Sequence, residues 1–170
     1  MKTLFKILFI VLIVIGTVSC SNTQKEPYKL PENAIKLLSG ELGKNWKIAW
    51  RYNDGIRMNM RGCFLSYRIT YRPDMTIKDN SEDHENCGPS LSGNWEIITN
   101  KKGKSYIKWV SDQLPQVMNI KKKYKFFKIL KITEDTLQLQ YRHKQFSSES
   151  IFIDTFVTEQ IKIKDRDFHW

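Results

Sequence analysis

Histidine and cysteine are scarce in this chain, with three of each among 170 residues. Eight glycines and five prolines also fall below the usual shares of about 7% and 5%. This scarcity excludes collagen-like and Pro/Gly-rich low-complexity classes, and no internal repeat is present. No glycine-rich phosphate loop, no glycine-flanked serine elbow and no HExxH segment occurs. His84, His143 and His169 are the only histidine bases available near neutral pH, and none has a partner at short, fixed spacing. Asp54, Asp74 and Asp135 stand among turn residues, where capping the backbone is the ordinary role. Asp83-His84-Glu85-Asn86-Cys87 gathers metal-ligand residue types, but such a polar run usually forms a solvated loop; no metal or cofactor is assigned. The residues propose no catalytic site, and the chain reads as a non-enzyme.

Long apolar runs are missing too, save one. Ile7 to Val18 is shorter than the roughly 20 residues that a bilayer core requires. It follows Lys2 and Lys6 and ends in small residues, the three parts of a secretory leader. Thr17-Val18-Ser19-Cys20 resembles the lipobox of bacterial lipoproteins, although Thr17 stands where leucine is usual. Lipidation at Cys20 therefore competes with plain cleavage near that residue and a soluble product. Two or three acyl chains anchor firmly, at about 0.8 kcal/mol per buried methylene, whereas one is marginal. Ser21, lacking the aspartate that retains some lipoproteins at the inner membrane, favours the outer membrane. The expected parts are a leader at 1–19, a polar tether at 20–31 with Pro27 and Pro31, a folded domain at 32–160 and a charged tail at 161–170.

Three cysteines in an exported chain leave one unmatched. Modification of Cys20 would leave Cys63 and Cys87 either as a disulfide in an oxidising compartment or as two buried thiols. The net charge is +10, and losing Lys2 and Lys6 with the leader takes away only two of it. A basic exported protein is not expected to bind nucleic acid. It suits anionic headgroups, acidic glycans or an acidic protein, or serves solubility alone. Lys121, Lys122, Lys123 and Lys125 form the densest basic cluster, read either as a contact surface or as a solvated edge.

Beyond the tether, Pro31 to Gly40 predicts a short helix with Ile35 and Leu38 on one face. The apolar period then changes to two. Trp46, Ile48, Trp50 and Tyr52 alternate with polar or small residues in a first strand. Cys63 to Tyr71 predicts a second and Thr76 to Asp79 a third. Gly93 to Ile98 and Tyr106 to Val110 flank a hairpin signal at Asn100–Lys104. Tyr124 to Ile132 is a sixth strand with apolar residues on both faces. Leu137, Leu139 and Tyr141 mark a seventh, a polar stretch runs from His143 to Ser150, and Ile151 to Thr158 is the last. About eight strands joined by short turns predict an all-β, up-and-down antiparallel barrel, with a two-sheet sandwich as its rival.

Several of these segments resemble a known pattern in their order. Leu38-Ser39-Gly40, Trp46-Lys47-Ile48, Cys63, Tyr71-Arg72-Pro73-Asp74, Cys87 and Ser92-Gly93-Asn94-Trp95-Glu96-Ile97 precede Lys128 to Leu139. Together they look like the bacterial lipocalin-like domain found in many small lipoproteins, over roughly Leu38 to Val157. That family has glycine after the turn aspartate where Met75 stands here, which predicts a different turn. The resemblance implies a lipocalin-like barrel and frequent lipid anchoring, with no particular ligand or reaction.

Aromatic residues supply the remaining candidates. Trp46, Trp50, Tyr67, Trp95 and Trp109 would either fill the barrel or line a pocket for an apolar ligand. The expected function is a lipid-anchored envelope protein that binds a small apolar molecule or lipid. The alternative is an envelope scaffold with a packed barrel and a basic face for an acidic partner.

Overall fold

A computed structural model describes residues 26, 28–145, 148–164 and 166. The leader at 1–19, Cys20, most of the tether and the tail positions 165 and 167–170 lie outside the described residues. Among the described residues, nine strands form one antiparallel sheet: β1 (Lys44–Asn53), β2 (Ile56–Arg57), β3 (Arg68–Tyr71), β4 (Thr76–Asp79), β5 (Ser92–Thr99), β6 (Ser105–Val110), β7 (Tyr124–Ile132), β8 (Thr136–Gln145) and β9 (Ser148–Val157). Strand β2 is only a short hairpin partner of β1. The other eight follow chain order, and pairing of β1 with β9 closes them into a barrel. Closure pairs the first and last barrel strands, so neither presents the edge that an open sheet would leave.

Alternation explains what lies inside. Ile107 and Trp109 on β6, Leu137 and Leu139 on β8, and Phe152 and Phe156 on β9 are all buried. Two bulges adjust this period. In β7 the register shifts between Ile129 and Lys131, so Ile129 and Ile132 are both buried. The bulge thus carries the inner row on to Ile132, while Tyr124 and Phe126, ahead of it, remain exposed on the outer face. In β1 the register shifts between Ile48 and Trp50, with Ala49 as the extra residue. Ile48 is buried, but beyond it the phase reverses. Trp50 opposite Thr155 takes the outer face, and Arg51 opposite Asp154 turns inward.

The motif at Ser92–Trp95 has a packing reason. A Cβ on Gly93 would sit 2.3 Å from the carbonyl oxygen of Val110 and 2.8 Å from Ser111 Cβ. Only glycine lets β5 and the end of β6 approach so closely. Two residues on, Trp95 is buried and its indole donates to the carbonyls of Arg72 and Thr76, at 3.2 and 3.0 Å. This ties the β3–β4 turn to β5. Within that turn Met75 has φ +63°, the left-handed conformation that glycine adopts without cost. The substitution for glycine has not removed the conformation.

Helix α1 (Ala34–Ser39) ends at Gly40, where φ is +62°. Its buried face is Ala34 with Leu38, four residues apart, while Ile35 is 46% exposed. The expected Ile35 face is therefore corrected. Trp46 donates to the Leu38 carbonyl at 2.9 Å and fastens α1 to the barrel.

Cys63 to Tyr71 is not one strand. Cys63–Ser66 forms a helical turn, α2, entered through Gly62 at φ +47°, and the strand begins only at Arg68. Cys63 is bonded to Cys87, with the Cα atoms 5.4 Å apart. This crosslink holds α2 to the loop beyond the short 3-10 turn Ser81–Asp83. Local alternation thus gives way to a tertiary tie. The stretch from His143 to Ser150 is also corrected: β8 and β9 continue to pair as far as Gln145 opposite Ser148.

Replacing both Cys63 and Cys87 by alanine should lower unfolding free energy by about 3 kcal/mol through loop entropy. Chemical denaturation of the oxidised protein and the double variant measures this.

Candidate functional site

Three large aromatics fill much of the barrel. Trp46, Trp95 and Tyr71 are essentially inaccessible. Tyr71 packs edge-on to Trp95 with ring centroids 5.6 Å apart, and its hydroxyl accepts from the Trp109 indole at 3.0 Å. Trp109 lies 4.1 Å from Phe127, which packs edge-on to Tyr141 at 5.1 Å. Short of complete filling, a cavity of about 160 Å³ remains. Trp109, Phe127, Leu139 and Phe156 supply apolar wall, and Phe64 of α2 and Met118 close it from outside the strands. Met118 follows the short helix α3 (Leu114–Val117), whose Pro115 stands in its first turn.

The polar wall is built on the β1 bulge. Arg51 makes a two-pronged contact with Asp154, both bonds being 2.6 Å. Tyr141 donates its hydroxyl to the same carboxylate at 3.2 Å. Asp154 is buried, and Arg51 is nearly so. Burial disfavours the Arg51 charge, but Asp154 attracts and hydrogen-bonds it, leaving the guanidinium pKa above its ordinary value. Tyr67 also lines the cavity. Burial first, and then nearby Asp79, push its phenol well above the usual range. Burial also raises Tyr141, with Asp154 adding to the effect. Both phenols stay protonated as donors at neutral pH.

The candidate residues separate on this geometry. Tyr67 and Trp109 line the cavity. Trp46 and Trp95 do not; they are consumed in the packed core, each with its indole bonded to a carbonyl. Trp50 does not line it either, because the Ala49 bulge places it outside. Lys121, Lys122 and Lys123 are exposed, whereas Lys125 is only 7% exposed and leaves the basic surface. It alternates with Phe127 on the inner face of β7. Its Nζ lies 3.3 Å from His143 Nδ1 and 5.0 Å from the Tyr141 ring centre. Cys20 lies outside the described residues. Among the described residues, no cluster of three or more His, Cys, Asp or Glu side chains is placed to hold a metal.

A closed antiparallel barrel with an amphipathic interior calls for comparison with known families. The profile of the lipocalin-like domain matches residues 42–139. This chain belongs to the lipocalin-like domain family. Among curated proteins none matches it. The matched stretch ends within β8, so Asp154 and the closing strand of this lipocalin-like barrel lie beyond it.

Arg51, Asp154 and inward Lys125 were missed in the sequence. Asp154 offered a readable signal, since it alternates with Phe152 and Phe156 on a strand that buries that face. An acid placed so needs a buried counter-charge.

Two outcomes follow from these charges. Asp154→Ala should cost about 3–5 kcal/mol by leaving Arg51 uncompensated, whereas Arg51→Met with Asp154→Leu should recover most of that. Urea denaturation of the parent and the two variants tests the pair. For Lys125, burial and then repulsion from Arg51 lower the pKa from 10.5 to about 8, with Asp154 opposing. Between those pH values the unfolded chain binds the extra proton, so this group's penalty is full below pH 8 and fades as pH rises to about 10.5. Lys125→Met should therefore be more stable than the parent at pH 7, by roughly 1–2 kcal/mol after solvent screening. The difference should shrink above pH 9; a constant difference across pH would refute the assignment.

Proposed function

We propose that this lipocalin-like protein is a binding protein, not an enzyme, and that it holds a small apolar molecule bearing one hydrogen-bonding group. The amphipathic cavity beside Arg51 and Asp154 carries this reading. Its volume of about 160 Å³ is below the roughly 300 Å³ at which drug-sized sites begin. The ligand is accordingly a single ring or a short chain, smaller than a membrane lipid. Trp109, Phe127 and Leu139 would contact its body, while Tyr67 and the Arg51–Asp154 pair would orient its polar group. Such a bond makes binding selective, since a ligand lacking the group forgoes it.

The same proposal sets the protein in the cell envelope, anchored by lipid on Cys20, with the outer membrane favoured over the inner by Ser21. The Cys63–Cys87 bond supports an oxidising compartment. The packed barrel end around Trp46 and Trp95, together with exposed Lys121, Lys122 and Lys123, supports a second reading: an envelope scaffold meeting an acidic partner.

Mass spectrometry of the protein purified from an expressing envelope separates these readings. Under native conditions we expect a small co-purifying adduct, reduced at least several-fold in Leu139→Trp, which fills the cavity. Under denaturing conditions the mature chain should begin at acylated Cys20. Repeated absence of any adduct would favour the scaffold, and a mature chain without acyl mass would remove the anchor.

A further inference from the structure

The wall of the barrel is split on one side. Pairing between β7 and β8 runs only from Ile132 and Leu137 to Lys128 and Gln140. Among the described residues, no backbone pairing joins Tyr124–Phe127 to Tyr141–Lys144. Yet β7 stays paired with β6 as far as Tyr124, and β8 with β9 as far as Gln145. Each strand therefore keeps its outer neighbour and turns a backbone edge toward the split.

Lys125 and His143 bridge this split with the 3.3 Å contact already described. Burying an ammonium costs several kcal/mol unless an opposite charge compensates it. Four charged or titratable groups face Lys125: Arg51 from β1, Asp154 from β9, and Tyr141 and His143 from β8. The one acid among them has both oxygens on Arg51 and also accepts from Tyr141. Burial, then repulsion by Lys125 and Arg51, lowers the His143 pKa, so that ring is neutral at pH 7 and above. No carboxylate contacts the Lys125 ammonium among the described residues.

Outside the split lies an open groove of about 870 Å³. Tyr106, Tyr124 and Phe126 make its floor, with centroids 6.4 Å apart for Tyr106 and Phe126 and 5.5 Å for Tyr124 and Phe126. Phe126 is 42% exposed, unusual for phenylalanine in a strand centre. Lys104, Lys121, Lys122, Lys128 and Lys144 line the groove as well. Glu149, the one acid lining it among the described residues, is held by Arg142 at 3.0 Å. An apolar floor under lysines that have no acidic partner among the described residues, with a buried ammonium at its inner end, complements one kind of molecule. The volume falls within the roughly 300–1,000 Å³ of small-molecule sites, and a concave trench suits a chain better than a flat protein face.

We propose that the split between β7 and β8 is a binding site for a single-chain anionic amphiphile. Lys125, with His143 beside it, receives the acid group, a carboxylate or phosphate monoester, and the tail lies on Tyr106, Tyr124 and Phe126. Because this groove shares only Tyr141 with the inner cavity, the site stands apart from the reading above. An anion at Lys125 favours the charged ammonium, so binding near pH 8.5 takes up protons.

The test is calorimetric titration of the full chain at pH 8.5 with decanoate, decyl phosphate and decanol, in two buffers of different ionisation heat. At least one acid should bind, with proton uptake, and decanol should bind at least ten-fold more weakly; the tighter acid names the headgroup. Lys125→Met should weaken the acids ten-fold or more while unfolding at or above the parent temperature, and Phe126→Ser should weaken them without changing the proton count. Leu139→Trp, in the inner cavity, should leave them unchanged. Equal affinity for decanol, or full acid binding by Lys125→Met, would overturn the site. Loss of binding in Leu139→Trp alone would move the ligand to the inner cavity, and binding of anionic vesicles without binding of the monomeric acids would make this face a membrane contact instead.

Discussion

One extra residue in β1 sets the chemistry of the barrel. Without the bulge at Ala49, Trp50 would continue the inward row begun by Trp46 and Ile48, and Arg51 would face solvent. Asp154, held inward between Phe152 and Phe156 by the period of β9, would then be a buried carboxylate without a counter-charge. The phase reversal brings Arg51 across from it at the seam where first and last strands meet. Barrel closure and charge neutralisation are thus one event, because both depend on the same register.

That arrangement divides the interior. The indoles of Trp46 and Trp95 are spent on backbone carbonyls, at α1 and at the β3–β4 turn, and neither lines the cavity. Around Arg51, hydrogen-bonding groups and a small void share the wall with aromatic rings. Lys125 adds a further cation close to the Arg51–Asp154 pair, where packing alone would favour an apolar side chain. Buried charges of this kind are costly for stability, and their concentration near the void and the split wall is what points to binding rather than to a purely packed barrel.

Much of the architecture was legible from local pattern. Strands β4 and β7 fall at the expected boundaries, and eight barrel strands in meander order follow from alternating burial and short turns. Most of the failures share a cause. Cys63–Ser66 alternates like a strand but is turned by Gly62 and pulled to Cys87. The polar run after His143 lacks an apolar face but is carried into the sheet by its neighbour. Of the aromatic candidates, Tyr67 and Trp109 reach the cavity while Trp46, Trp50 and Trp95 do not; of the basic candidates, Lys125 is inside. Cys87, the strand opposite Arg51 and the groups around Lys125 are distant in sequence from the residues they place, whereas the run after His143 is set by its own hairpin.

By itself the amino-acid order determined the meander of eight barrel strands, most of the turns and the short leading helix, since each depends on side chains a few residues apart; the need for Gly93 came from Val110 and Ser111 across the sheet. Register, bulge position and the inward turning of Arg51 and Lys125 were decided only when β9 met β1 and the wall closed. Period-two alternation carries no record of where it will be interrupted, because a bulge is chosen by the partner strand. The faces that carry the chemistry were therefore written by closure.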